Sequence, residues 1–571
     1  MRRRLTVATS RTVLLLTAIG LGAGSKVGSA NGGDGESSRS AVPWSIHQAD
    51  TMEKVFRDRR FDRPQADKLV IKAARNEVEG VQLVLASPED LSRVTLDVTD
   101  LRGESGTTIP AAEVSWHVVG YVEITEKPPY PVSRLGWWPD PLLPGADFDV
   151  AKGRVQPIWI NIRVPADAAP GVYRGTVTVR SSSHVQSVPL EVKVWGFAVP
   201  QKQHLETCFL LRPDNLRRFY KLSEVPIEMY ERWIDFCVDH RLSLTLNDWP
   251  RYDKDMERLV WRQLERGGSG FCLACCWFSK DDSAEARRKH NDEQVARVLP
   301  LYDRAKSRGW IDRAYIYCSD EVVKEHYLPA RELYAELKRT MPQVRLMQTF
   351  YKDDPIPALG PTIDVWAPNI ARYRKDEFQA QQAQGDAVWW YVCCGPGKPF
   401  ANLMIEWPAI DHRILLWQNW KYGVTGFLYW GTTVFRDNCE REARWPDVPW
   451  KPATWRNGAG QPHHGDGQLI YPGRDGKPLS SIRLENLRDG IEDYEYFWLL
   501  RENLTELERS GGAGHEKLMA EARRALAVDE NIVRDLNHFA DDPQALRRAR
   551  ARIARLIERL RAAVHASRSE P

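Results

Sequence analysis

The sequence is sparing with the residues that would build a metal or disulfide scaffold. It holds nine cysteines in 571 residues. Their number is odd and their spacing irregular, and neither vicinal pair, Cys275-Cys276 or Cys393-Cys394, is matched to a second Cys or His pair at zinc-finger spacing. That argues against a metal site, and a chain of this length does not need the disulfide framework of small exported domains. Cys272, Cys275, Cys276, Cys318, Cys393 and Cys394 lie in or beside apolar strand-like runs and read as small core residues. An excess of one charge is missing too: 80 Lys plus Arg stand against 77 Asp plus Glu, a net +3, so nothing in the overall charge calls for nucleic acid or an anionic membrane. No Gly-rich phosphate loop follows the early strands, which weakens a nucleotide-binding reading, and no cofactor is expected. The apolar stretch from Val13 to Ala23 is short of the ~20 residues that span a bilayer. It follows Arg2, Arg3 and Arg4 and precedes Gly28-Ser29-Ala30, the order of a secretory signal. The expectation is export to a periplasmic or extracellular space after cleavage near Ala30, by the general or, with a weaker match, the twin-arginine route.

What the chain has in quantity is length and aromatic rings. Its length implies two or three domains, each with its own core. Residues 31–42 are rich in Gly, Ser, Asp and Asn and predict a disordered tether. From 43 to 200 the chain runs in short alternating or β-branched segments, among them Val81-Gln82-Leu83-Val84-Leu85 and Gly175-Thr176-Val177-Thr178-Val179, punctuated by Gly and Pro turns. That pattern predicts an antiparallel β-sandwich. It is interrupted from Lys127 to Asp149 by a long loop carrying Trp137-Trp138, either of the functional kind or packed on the edge of the sandwich.

From 201 to 500 the rhythm becomes strand, then amphipathic helix, repeated. Eight strands are predicted, at Thr207–Leu211, Ser243–Asn247, Phe271–Cys276, Ala314–Ser319, Arg345–Phe350, Ile363–Ala367, Val388–Val392 and Gly426–Trp430. Eight such units match a (β/α)8 TIM-type barrel. Residues 501–571 are predicted to form C-terminal helices, the last with an apolar stripe and with its arginines on a solvated face. No feature selects an oligomeric state.

A barrel of this kind delivers the carboxyl ends of its strands to one shared mouth. The predicted strand ends bring Asn247, Trp277, Asp320, Glu321, Tyr351, Asn369, Tyr391 and Trp430 there, with Arg483 and Glu485 joining from the last connection. Flat rings beside a few hydrogen-bonding groups suit sugars, whose C–H faces stack on the rings while hydroxyls seek polar partners. The chain has 22 Trp and 19 Tyr to draw on. Adjacent Asp320 and Glu321 do not fit the usual pair of carboxylates drawn from separate strands. They suit substrate-assisted cleavage, in which a 2-acetamido oxygen attacks the anomeric carbon, Asp320 holds the amide N–H, and Glu321 protonates the leaving oxygen and then activates water.

Four segments carry a family resemblance: Ser319-Asp320-Glu321, the run Trp389-Trp390-Tyr391-Val392-Cys393, Gly426-Phe427-Leu428-Tyr429-Trp430, and the long stretch from Ser481 to Tyr496. Over roughly residues 45 to 505 the sequence resembles glycoside hydrolase family 123, a group that overlaps the domain of unknown function 4091. The resemblance implies a β-N-acetylgalactosaminidase-like enzyme acting on a glycan or glycoconjugate, with Asp320 orienting the acetamido group and Glu321 as acid/base. It also implies sugar contacts from Tyr351, Trp389, Tyr391 and Trp430. Two departures concern the −1 subsite: Tyr317-Cys318 stands where many relatives have a His, and Val322 where Pro is frequent. Two alternatives stay open, a glycan-binding protein without turnover and a glycosidase for sugars lacking the acetamido group, with Glu485 as partner to Glu321.

Overall fold

The computed structural model describes residues 44–104, 106–246, 254–435, 454–511 and 514–569. The expected signal and tether, and Asn247, lie outside the described residues. The N-terminal part is all β, in two sheets. One has the strand order Ser45–Ala49, Glu77–Ala86, Val155–Val164, Val114–Ile124, Gly136–Pro144. The other is built on Leu69–Arg75, Val185–Ala198, Gly171–Arg180, Leu91–Val98 and Phe148–Val150. Alternate residues of both sheets, including Leu83, Ile158 and Ile160 from the first and Val177, Leu190 and Val192 from the second, enter one hydrophobic core. The pairing is not wholly antiparallel, because Leu69–Arg75 runs parallel to Val185–Ala198. The expected long loop is in large part a strand: Gly136–Pro144 pairs with Val114–Ile124. Trp138 on it is buried edge-on against Phe56, with ring centroids 5.0 Å apart, while Arg57 covers Trp137 at 3.9 Å. Trp138 also packs with Ile405, Tyr471 and Leu479 of the barrel part, so it is buried at the junction.

The second part contains eight parallel strands: β1 (Glu206–Leu211), β2 (Leu244–Leu246), β3 (Phe271–Cys275), β4 (Ala314–Tyr317), β5 (Arg345–Phe350), β6 (Val365–Pro368), β7 (Ala387–Val392) and β8 (Gly426–Tyr429). Their hydrogen-bonded order is β2-β1-β8-β7-β6-β5-β4-β3, a nearly closed sheet that fits a TIM-like barrel with its seam between β2 and β3. All eight coincide with strands read from the sequence. Period-two alternation divides each strand: Cys208 and Leu210 of β1 fill the barrel with Tyr315, Met347 and Trp389, whereas Phe209 and Leu211 face the outer core. Trp389 stands edge-on to Tyr315 at 5.3 Å. It fits because residue 426 on the neighbouring strand is Gly, where a Cβ would lie 2.3 Å from the indole.

Helices cover the barrel, and three of them tie it to the β sheets: α1 (Ala409–Lys421), α2 (Ile482–Arg509) and α3 (Pro543–Ser569). The Ser481 hydroxyl caps α2 by accepting from the Leu484 N–H at 3.2 Å. Gly490 lets α1 and α2 approach closely, since a Cβ there would meet the Arg413 carbonyl at 2.8 Å. The arginines of α3 do not all face solvent as expected: Arg550 is 4% exposed, and Arg547 reaches Asp50 at 2.9 Å and Glu79 at 2.8 Å. No helix among the described residues is long and apolar enough to cross a membrane. Among the same residues no cluster of His, Cys, Asp and Glu could hold a metal ion.

Candidate active site

Strand β4 ends at Tyr317, and Ser319 anchors the turn beyond it. The Ser319 hydroxyl accepts the Phe278 N–H at 3.0 Å and its carbonyl accepts from the Gln348 amide at 2.8 Å. Neighbours on an extended strand point to opposite faces, but Asp320 and Glu321 lie in a turn, and Glu321 has a left-handed backbone with φ 45°. For a residue other than glycine that conformation carries strain and tends to mark functional positions. Thr349 on β5 holds the result together. Its hydroxyl donates to Asp320 Oδ1 at 2.8 Å and accepts the Glu321 N–H at 3.1 Å.

The two carboxyls are held by hydroxyls. Tyr317 Oη also donates to Asp320 Oδ1 at 2.8 Å, so both donors fall on one oxygen and none among the described residues reaches Oδ2. On Glu321, Tyr391 Oη donates to Oε1, and Oε2 is likewise without a donor among the described residues. Both residues are solvent-accessible and line one cleft of about 550 Å³, together with Tyr391, Trp430, Arg212 and Asp466. Partial burial of the Glu321 carboxyl raises its pKa above the ordinary carboxylate value. The Tyr391 hydrogen bond works against that, the adjacent Asp320 charge adds to it, and Lys352 opposes it.

Across the cleft the Trp430 indole N–H donates to Asp466 Oδ1 at 2.8 Å, and Tyr429 Oη donates to the same oxygen at 3.2 Å. Asp466 is fully buried, and burial lifts its carboxyl to about 6. This arrangement offers an accessible carboxyl raised above its ordinary value, a neighbouring carboxylate oxygen open to a donor, and a ring wall, the parts that protonation of a leaving oxygen beside a bound sugar requires.

The sequence matches the model of the glycoside hydrolase 123 catalytic domain over residues 283–500 and that of the glycoside hydrolase 123 N-terminal domain over residues 53–181. Together these span more than half of the chain. The protein belongs to glycoside hydrolase family 123. Glycosidic-bond hydrolysis on glycan substrates follows from that membership. Among solved structures, a family 123 glycoside hydrolase from Clostridium perfringens, analysed for glycolipid glycan hydrolysis, is similar at 14% identity. The match covers 92% of this chain and 99% of that one with a TM-score of 0.65, a likeness of fold. A glycosyl hydrolase family 2 member from Bacteroides cellulosilyticus matches at 13% identity over 68% of this chain and 44% of the other, but its TM-score of 0.27 carries no argument. Comparison with curated proteins finds no match.

In this family 123 chain the site residues expected from sequence separate into two groups. Asp320, Glu321, Tyr391 and Trp430 meet at the cleft. Tyr351 is 39% exposed beside it, with Arg372 over its ring at 5.2 Å. Trp277 is 50% exposed after β3. Asn369 is buried at the end of β6, where its amide donates to the Gly395 carbonyl at 3.1 Å and its Oδ1 accepts the Ala371 N–H at 3.2 Å, so it shapes the backbone. Trp389 fills the barrel interior and does not reach the cleft.

Arg483 and Glu485 are corrections as well. Both lie on α2, buried where the barrel meets the β sheets. Arg483 grips Asp140 through Nε at 3.0 Å and Nη2 at 2.8 Å. Glu485 accepts from Ser480 Oγ at 2.6 Å and Asn161 Nδ2 at 3.0 Å and pairs with Arg488. Burial by itself would raise the Glu485 carboxyl, but Arg488 and His240 outweigh it and hold it well below the usual range. Glu485 therefore cannot partner Glu321.

The residues not foreseen are Thr349, Arg212, Arg218 and Asp466, while Tyr317 is marked in the sequence only as part of a departure from relatives that carry a His. Tyr317 and Thr349 sit inside strand ends, one pleat before the positions the sequence pattern singles out. Asp466 lies far beyond β8, and its only local signal is the pair of flanking glycines with positive φ, Gly465 and Gly467.

Proposed function

We propose that the enzyme is an exo-acting β-N-acetylhexosaminidase, galactosaminidase-like, working by the substrate-assisted retaining route. The observation that carries the reading is the disposition of donors on the adjacent pair. Tyr317 and Thr349 occupy only Oδ1 of Asp320, which leaves Oδ2 to take the acetamido N–H. That hydrogen bond aims the acetamido oxygen at the anomeric carbon and stabilises the positive charge of the oxazolinium as it forms. Glu321, its carboxyl raised by burial in the cleft wall, carries the proton for the leaving oxygen. Afterwards, as the carboxylate, it removes a proton from the water that opens the oxazolinium. Tyr391 steadies Glu321 Oε1 in both steps, while Trp430 offers a ring for the sugar face. The same reading includes export, supported by the charged, apolar and small-residue order of Met1 to Ala30; N-terminal sequencing of the secreted protein would test it by starting near residue 31.

The activity is tested with aryl β-glycosides of galactose and glucose configuration, each with and without a 2-acetamido group. Release of aryl alcohol from the acetamido sugars alone is the expected result, and the faster epimer names the glycone. Equal cleavage of the plain sugars would overturn the mechanism by moving the nucleophile onto the protein. Silence on all four, with calorimetric binding of the sugars, would turn the protein into a glycan binder.

A further inference from the structure

Opposite the carboxyl pair, the cleft is walled by the segment that leaves β1. Arg212 comes directly after that strand, and Asp214, Asn215 and Arg218 lie in the short helix Pro213–Phe219. Arg212 is fixed against the ring wall: its Nη2 donates to the Trp430 carbonyl at 3.2 Å and its guanidinium sits 5.5 Å from the Trp430 ring centroid. Asp214 is engaged by Arg217, Nε to Oδ1 at 3.2 Å. Arg218 is different, since it is exposed and has no ion-pair partner among the described residues. Most arginines near the barrel's surface are matched, as Arg258 is to Glu231 and Arg345 to Glu206. A guanidinium facing a substrate cleft without a carboxylate partner among the described residues is available to an oxyanion of the substrate.

The direction of the ring decides which substituent it meets. β4 and β1 stand on different sides of the mouth, separated by β3 and β2 one way and by β5 to β8 the other. With C1 and the C2 acetamido group at Asp320 and Glu321, the C4 to C6 edge of a pyranose ring points away from them, toward the β1 wall. We propose that Arg218, with Arg212 beside it, is an oxyanion-binding wall that selects sugars bearing a sulfate ester or carboxylate on the C4 to C6 edge. The orientation rests on Asp320 and Glu321 acting as proposed for the hydrolytic reaction. Arg218 supplies a planar fork of N–H donors suited to two oxyanion oxygens, and Arg212, held on Trp430, adds positive charge without having to be ordered first.

The experiment uses the full-length enzyme and three aryl 2-acetamido-β-hexosaminides in the configuration it prefers: the neutral sugar, its 6-O-sulfate and the corresponding 6-uronate. The sulfate or the uronate is expected to show a kcat/KM about ten- to a hundredfold above the neutral sugar. That ratio is expected to fall toward one in Arg218→Gln and to narrow in concentrated salt. The two charged substrates show which oxyanion is read. A neutral sugar cleaved at least as fast as both, with the ratios unmoved in Arg218→Gln, overturns the proposal. Calorimetry with the free 6-O-sulfated N-acetylhexosamine separates this from the mechanism. Binding that is lost in Arg218→Gln, without turnover of any substrate, upholds the wall and sinks the hydrolytic reading. Equal binding to both proteins sinks the wall.

Discussion

The carboxylates at the cleft and those at the junction between barrel and β sheets differ in what faces them. At the cleft, Asp320 and Glu321 are accessible and receive hydrogen bonds from the hydroxyls of Tyr317, Thr349 and Tyr391. At the junction, Glu79, Asp489 and Asp493 are buried around Arg413, which reaches Asp493 at 2.7 Å, Asp489 at 3.1 Å and Glu79 at 3.2 Å. Arg550 and Arg547 close the same network from α3. Burial would raise Glu79, yet Arg547, Arg413 and Arg550 together hold it well below the ordinary value. Glu79 and Asp493, clamped by arginines, are held down as anions, whereas burial and the Glu79 charge push Asp489 up despite Arg488 and Arg413, and the network serves as mortar between α1, α2, α3 and the β sheet. Glu321, held by a hydroxyl with no arginine on it among the described residues, is instead raised by its partial burial. The same side-chain chemistry thus gives structure at the junction and, in the function proposed above, catalysis at the cleft, according to the donor.

Glu321→Gln is expected to lower turnover by roughly a hundred- to ten-thousandfold while leaving the denaturation midpoint close to wild type. Unchanged turnover would remove Glu321 from the mechanism. Arg413→Met is expected to do the reverse. It takes one arginine from three buried carboxylates, leaving Glu79 with Arg547 and Arg550, Asp493 with Arg550 and Asp489 with Arg488, with a loss of about 1–3 kcal/mol of stability in urea unfolding, and leaves activity per folded molecule nearly intact. A variant as stable as wild type would mean that the junction network contributes no net stability.

Smaller effects sharpen the contrast. The Tyr391 hydrogen bond lowers the Glu321 carboxyl against the burial that raises it, so Tyr391→Phe is expected to move the basic limb of the kcat/KM profile to higher pH. A limb that stays or moves down would show that Glu321 is not the acid reported there. Asp466 sits between the two classes, buried at the cleft with indole and phenol donors. Its native carboxyl lies at about 6 against an ordinary 3.8, so the folded state binds its proton more tightly than the unfolded chain. The resulting stabilisation is full below the ordinary value and is lost as pH rises through about 6. Asp466→Asn should flatten that part of the stability profile, and an unaltered slope between about pH 4 and 6 would place the ionisation elsewhere.

The barrel was legible because its signals are local. An apolar run such as Arg345–Phe350 followed by an amphipathic helix states both the element and its buried side, and all eight strands were found from such runs. The reading failed where neighbours, not periodicity, set the outcome. The segment with Trp137 and Trp138 looked like a loop, because its prolines, Pro139 and Pro141, obscure a strand whose place is set by pairing with Val114–Ile124. Arg483 and Glu485 looked like mouth residues because they are charged and come after the last strand. Their partners in the β region, Asp140 and Asn161, both more than 300 residues earlier, are invisible in the local sequence.

By itself the sequence determined the element types, the eightfold strand–helix rhythm and the position of the Asp320-Glu321 pair at a strand end, because each depends on the order of side chains along a few consecutive residues. Only the tertiary structure decided which charges meet at the cleft and which are locked in the junction. Whether a carboxylate meets an arginine, a hydroxyl or open solvent depends on chain segments brought together from far apart, and that meeting sets its ionisation.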